Sequence, residues 1–188
     1  LYMDKDKAEA RKAAVCSVLT SLKIKGVSKL LGVTRWHTLG WAMLEPSNAV
    51  RKDILNTLTR VIQIAAVHPR FYAYLCLFVT DQNEMLSQKA ESALMFGIRR
   101  LRCSHETLSL KALEQNSEDL QRMAEDNMPE CILPYVIHLL AHHPDFPASE
   151  SLEAEGDKRR MKHIVKSAKM VIDVLVKSLP SGADNLSY

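Results

Sequence analysis

The sequence predicts an all-α solenoid of antiparallel helix pairs, and three observations carry that expectation. Hydrophobic residues make up 47% of the 188-residue chain while aromatics reach only 6%, and an apolar load of Leu, Val, Ile, Ala and Met suits helix packing better than a β-sandwich. Glycines number only six, too few for a turn-rich all-β chain. Apolar residues also recur at helical spacing through three long segments.

Taken in order, Trp36 to Leu44 is apolar nearly all round, the mark of a buried helix. The polar break Glu45-Pro46-Ser47-Asn48 follows. From Val50 to Ala65 the residues Val50, Ile54, Leu58, Val61, Ile62 and Ala65 share one face, with Arg51, Lys52, Asn56, Arg60 and Gln63 off it. Pro69 can open the next helix, and Phe71 to Val79 reads as a second buried one. After the Thr80-Asp81-Gln82-Asn83 break, Asp81 with Glu84 is a plausible cap. The amphipathic helix behind it carries Leu86, Ala90, Ala93, Leu94, Gly97, Ile98 and Leu101 on one face. Pro129 can start the third buried run, Ile132 to Ala141, in which Pro134 either restarts or kinks the helix. Asp145 to Asp157 holds Pro147, two serines and three glutamates and reads as an exposed inserted loop. The last helix has the stripe Met161, Ile164, Val165, Ala168, Ile172, Leu175 and Leu179, which leaves Met170 and Val174 pointing away from the core.

The units resemble one another. Leu39 to Leu58 and Tyr74 to Leu94 each read as buried helix, turn, amphipathic helix at an offset of about 36 residues, within the range of helical repeats. Ile132 to Leu175 repeats the pattern with the loop inserted. This is the paired-helix pattern of HEAT repeats. The expected organisation is one solenoid segment over 1–188, with helix pairs at 36–66, 69–103 and 129–179 and a loop at 145–157. The chain opens on Leu1 rather than Met, and we read it as part of a larger protein.

Composition narrows function. The formal charge of +3, from 25 basic and 22 acidic side chains, does not announce a nucleic-acid binder; such a role would need clustered charge. Cys16, Cys76, Cys103 and Cys131 form no C-x-x-C pair, and most have apolar neighbours, so buried reduced thiols are expected, as in the cytosol or nucleus. No segment has the length and apolarity of a membrane span, and no signal peptide opens the chain.

His138 and His142 stand four apart on one helix, a metal-like spacing. The Glu of an H-E-x-x-H zinc site is missing, since Leu139 follows His138, and the sequence names no third ligand. The expectation is therefore no metal, with His138 partly buried and His142 and His143 near a helix C-terminus. Cys131 precedes His138 without an orienting Asn or Asp, and no phosphate loop is present. The chain is expected to hold no cofactor and to catalyse nothing.

Two basic clusters remain as candidate contacts for an acidic partner or for DNA phosphate. Arg99, Arg100 and Arg102 read as the end of a helix, where cations complement the dipole. Arg159, Lys162, Lys166 and Lys169 form one stripe of the last helix, widened by Lys158 and Arg160. Without interleaved aromatics, any phosphate contact there would be sequence-independent.

The run from Met128 to Phe146 reads Met-Pro-Glu-Cys-Ile-Leu-Pro-Tyr-Val-Ile-His-Leu-Leu-Ala-His-His-Pro-Asp-Phe. It resembles the Leu-Pro-Glu-Tyr-Val-x-Pro-Tyr-x-Ile-His-Leu-Leu-Ala-His-Asp-Pro-Asp segment of the precocious-dissociation-of-sisters family. Phe71-Tyr72-Ala73-Tyr74-Leu75-Cys76-Leu77 and Gln88-Lys89-Ala90 are similar to that family's alanine- and cysteine-rich helix pair. The resemblance runs from about Val50 to Leu179. It implies a HEAT-repeat regulator of sister-chromatid cohesion in the nucleus, on chromosomes, with the kleisin subunit of cohesin or other cohesin regulators as partners. His143 stands where the family pattern has an acid. The family's Ala-Pro-Asp-Ala-Pro docking motif is not in this chain, so that docking role does not carry over.

Overall fold

Turn chemistry sets where the helices begin. In the computed structural model, which describes residues 2–24, 26–65, 67–146 and 155–179, helix α1 (Tyr2–Ser21) is followed by a single turn, α2 (Val27–Leu30). Helix α3 (Val33–Trp41) runs into a 3₁₀ turn at Ala42–Leu44, and α4 (Asn48–Ile64) completes the first pair. Pro69 opens a 3₁₀ helix, Pro69–Phe78, and α5 (Glu84–Gln115) completes the second. Helix α6 (Glu118–Asp126) leads to the turn Pro129–Cys131, α7 (Ile132–Ala141) and α8 (Glu155–Lys177). No strand occurs among the described residues. The fold is an all-α helical-repeat solenoid: α1 packs on α4, α4 on α5, α6 on α5, and α8 on α5 and α7.

The core is centred on the Pro69–Phe78 helix. Every residue from Phe71 to Val79 is buried, because this segment lies between α5, α7 and α8. The expected helix is thus present but wound to 3₁₀, as its neighbour Ala42–Leu44 also is. The Tyr74 hydroxyl donates to the Trp36 carbonyl at 2.7 Å, which removes the cost of burying a phenol. Tyr72 packs so closely on α5 that an added Cβ at Gly97 would overlap Tyr72 Cε1. In open space a mid-helix Gly→Ala change stabilises by about 0.5–1 kcal/mol. Here Gly97→Ala is expected to destabilise by about 1–3 kcal/mol, as overpacking does. Thermal melting followed by circular dichroism gives the sign directly.

Four expectations change. The cap of α5 is Asn83, whose Oδ1 accepts from Met85 N at 3.0 Å; the Asp81 carboxylate is drawn instead to Arg51, at 2.6 and 3.1 Å. Helix α5 does not end near Cys103. No breaker intervenes until Asn116, whose left-handed φ of 46° stops it, and α6 covers the added length. Of the thiols only Cys76 is fully buried, while Cys103 is exposed and Cys16 and Cys131 are half-buried. Finally, α8 is rotated from the expected stripe. Ile164, Ser167, Val171, Val174 and Leu175 face inward, whereas Val165 and Ile172 are 56% and 48% exposed. The helix carries two apolar stripes, and the neighbours α5 and α7 cover the one that includes small Ser167, which allows close approach. Val174, expected outside, is fully buried, and Met170 is half-buried. The loop expected at 145–157 lies largely outside the described residues.

Candidate functional site

The six basic residues that the sequence singles out on α8 all project to solvent: Lys158, Arg159, Arg160, Lys162, Lys166 and Lys169 are exposed. Their surroundings differ along the helix. Arg159 and Arg160 flank a cleft with His143, Asp145 and His163, and Arg160 pairs with Asp157 at 3.5 Å. Lys166 and Lys169 line a neighbouring groove whose other wall, from the start of α5, bears Glu84 and Glu91. The single stripe seen in sequence therefore opens on two clefts, the second of mixed charge.

The other cluster is largely built into the fold. Arg99 is exposed on α5. Arg100 donates from Nη1 to the carbonyls of Ile62 and Gln63, at 2.8 and 2.9 Å. Arg102 donates to the Leu175 carbonyl at 3.2 Å and to Ser178 Oγ at 3.1 Å, and pairs with Glu130 at 3.0 Å. These arginines lie mid-helix, and the carbonyls they satisfy belong to the last turns of α4 and α8. The dipole they complement is each neighbour's, not their own. Arg51 does the same between turns: beyond Asp81 it donates to the Glu45 and Pro46 carbonyls, both at 2.8 Å.

Nothing around Cys131 activates it. Its thiol lies 3.5 Å from the Glu125 carbonyl, and burial, then Asp126 and Glu130, push its pKa up, the opposite of what a nucleophilic thiolate needs. Burial pushes the Cys76 thiol up to about 12.

The histidine pair gains a member that sequence spacing did not supply. His37, on α3, packs edge-on against both His138 and His142, with ring centroids 4.8 and 4.9 Å away. The two α7-end rings are 4.5 Å apart. Gly40, one turn after His37, makes this approach possible: a Cβ there would stand 3.0 Å from Tyr74 and 3.1 Å from Leu139 of α7. His138 is exposed rather than partly buried, because α7 buries only the Ile132, Val136, Leu139 and Leu140 side. The one legible hint was that His37 shares an apolar run with Trp36 and Trp41.

The architecture is that of a helical-repeat protein with charged flanks. The family model for sister chromatid cohesion protein PDS5 matches residues 2–188, and the chain belongs to that family. The match extends beyond the Val50 to Leu179 stretch on which the sequence resemblance rests, and takes in α1 and α3. No curated protein matches the chain. The family is one of cohesin regulators and is not a known enzyme family. No helix among the described residues is long and apolar enough to cross a membrane.

Proposed function

We propose that this chain is a non-catalytic scaffold segment that docks the kleisin subunit of cohesin, or another cohesin regulator, on chromosomes in the nucleus. The observation that carries the reading is the exposed basic flank of α8, on a chain whose family acts in sister-chromatid cohesion. Solenoids present extended surfaces to extended partners, and a basic flank selects an acidic segment of such a partner.

DNA phosphate is the second reading, favoured by the regular spacing of Arg159, Lys162, Lys166 and Lys169. Against it, Glu84 and Glu91 face Lys166 and Lys169 across the groove and lower the positive potential that a phosphate backbone requires. A protein partner can match both signs.

Lys162→Glu with Lys166→Glu is expected to weaken binding of a kleisin fragment by roughly tenfold, about 1.4 kcal/mol, at low salt. The loss should shrink as salt screens the pair, and the melting temperature should hold, since exposed charges contribute little to stability. Co-purification with the kleisin fragment separates this reading from a generic HEAT-repeat adaptor. A steep fall of DNA affinity with salt, abolished by the same reversals, would favour DNA instead. Unchanged affinity for both returns the stripe to a solvated helix face.

A further inference from the structure

His37, His138 and His142 are the one group of three metal-ligating side chains that converges among the described residues. His37 is buried, and its Nε2 has no hydrogen-bond partner. A buried polar nitrogen left unpaired is costly, and a coordinated cation would satisfy it. His142 Nδ1 lies 2.8 Å from the His138 carbonyl. A neutral imidazole has one N–H, so that bond places the proton on Nδ1 and leaves the Nε2 lone pair free. Ligating histidines are oriented by such a second bond. Burial, then His138 and His142, lower the His37 pKa, which favours the neutral form that metals require. Trp36 and Trp41 wall the group, their rings 5.2 and 5.8 Å from that of His37.

We infer that His37, His138 and His142 form a site for one divalent transition metal, zinc above all, which ties α3 to α7. The sequence expectation of no metal rested on there being only two ligands; the fold supplies the third. The ligand atoms lie within 4.8 Å of one another. Tetrahedral zinc, with Zn–N of about 2.0–2.1 Å, needs nitrogens about 3.4 Å apart, so the rings must close by about 1.4 Å at most. His138 and His142 are exposed and can rotate, while buried His37 is the fixed member. Three imidazoles suit zinc, copper or nickel rather than magnesium or calcium, and the fourth position is left to water. The metal joins helices of the first and third pairs, which are not consecutive in the chain.

The test uses the untagged chain and cobalt(II), which quenches tryptophan emission and reports tetrahedral nitrogen ligation by its visible absorption. Both tryptophans of the chain flank the site, so quenching is a local signal. The expected result is saturation at one equivalent, with visible bands, reversed by zinc chloride. His138→Ala and His142→Ala alter exposed side chains and should leave the fold intact. Each should weaken binding by more than about tenfold, at least the loss seen when a ligand's orienting partner is removed. His163→Ala, elsewhere on α8, should bind as the parent does. Zinc should also raise the melting temperature of the parent and not of His142→Ala. Unsaturable quenching without visible bands, or unchanged affinity in His138→Ala and His142→Ala, would overturn the site.

Discussion

Asp81→Ala is expected to destabilise the chain by about 3–5 kcal/mol, the range for removing one partner of a buried ion pair. The side chains of Asp81 and Arg51 are only 4% and 14% exposed. Their contact is bidentate, with Nε and Nη2 of Arg51 donating to the two carboxylate oxygens, the strong geometry for such pairs. The same carboxylate accepts from Asn83 N at 2.8 Å, and Arg51 also holds the Glu45 and Pro46 carbonyls. The pair therefore clasps the turn of the first helix pair to the turn of the second. Without Asp81 the guanidinium stays enclosed with no counter-charge, and Asn83 loses the bond that sets it as the cap of α5. Arg51→Met should show a comparable loss, and the double variant should lose less than the two single losses combined, because the contact can be lost only once. Urea denaturation followed by circular dichroism reads all three. A loss below about 0.5 kcal/mol for Asp81→Ala, the level of ordinary surface changes, would show that the clasp does not hold the turns.

The helical periods carried most of the fold. In α4 and α5 the apolar face seen in sequence is the buried one, from Val50 to Ile62 and from Leu86 to Leu101, because each helix has one stripe and one place to bury it. Where a helix offers two stripes, period alone does not choose. Helix α8 could bury Val165 and Ile172 or Val171 and Val174, and the choice falls to its neighbours in space. The length of α5 was hidden for a related reason. The stretch after Leu101 is weakly apolar, so its pattern fades although its backbone stays helical to Gln115.

The site divides along the same line. Exposure of Arg159, Lys162, Lys166 and Lys169 follows from one helix's own geometry and was legible. The roles of Arg100 and Arg102 depend on carbonyls from other helices, and that of Arg51 on two turns, so sequence could place them only by charge. His37 belongs with His138 and His142 through the packing of α3 on α7 at Gly40 and Leu139. A ligand search by local spacing starts and ends within α7, so it finds two histidines and stops.

Leu94→Ala should destabilise by about 2–5 kcal/mol, and Leu139→Ala by a similar amount, the range for large core truncations. Leu94 is fully buried on the face of α5 that meets the Pro69–Phe78 helix, and Leu139 is 1% exposed on α7. Each lies among residues fixed on several sides, so the space left behind closes only in part and the cavity term adds to the lost transfer energy. The rotated face of α8 makes a finer comparison. Val174 is fully buried and Val165 is 56% exposed, yet both are valines on one helix, so helix propensity cancels between them. Val174→Ala should cost about 1–3 kcal/mol, the burial of two methyl groups plus a small cavity. Val165→Ala should stay within about 0.5 kcal/mol, and its gain in helix propensity acts in the stabilising direction. Equal losses at the two positions, or a larger one at Val165, would mean that α8 presents its other stripe to α5 and α7.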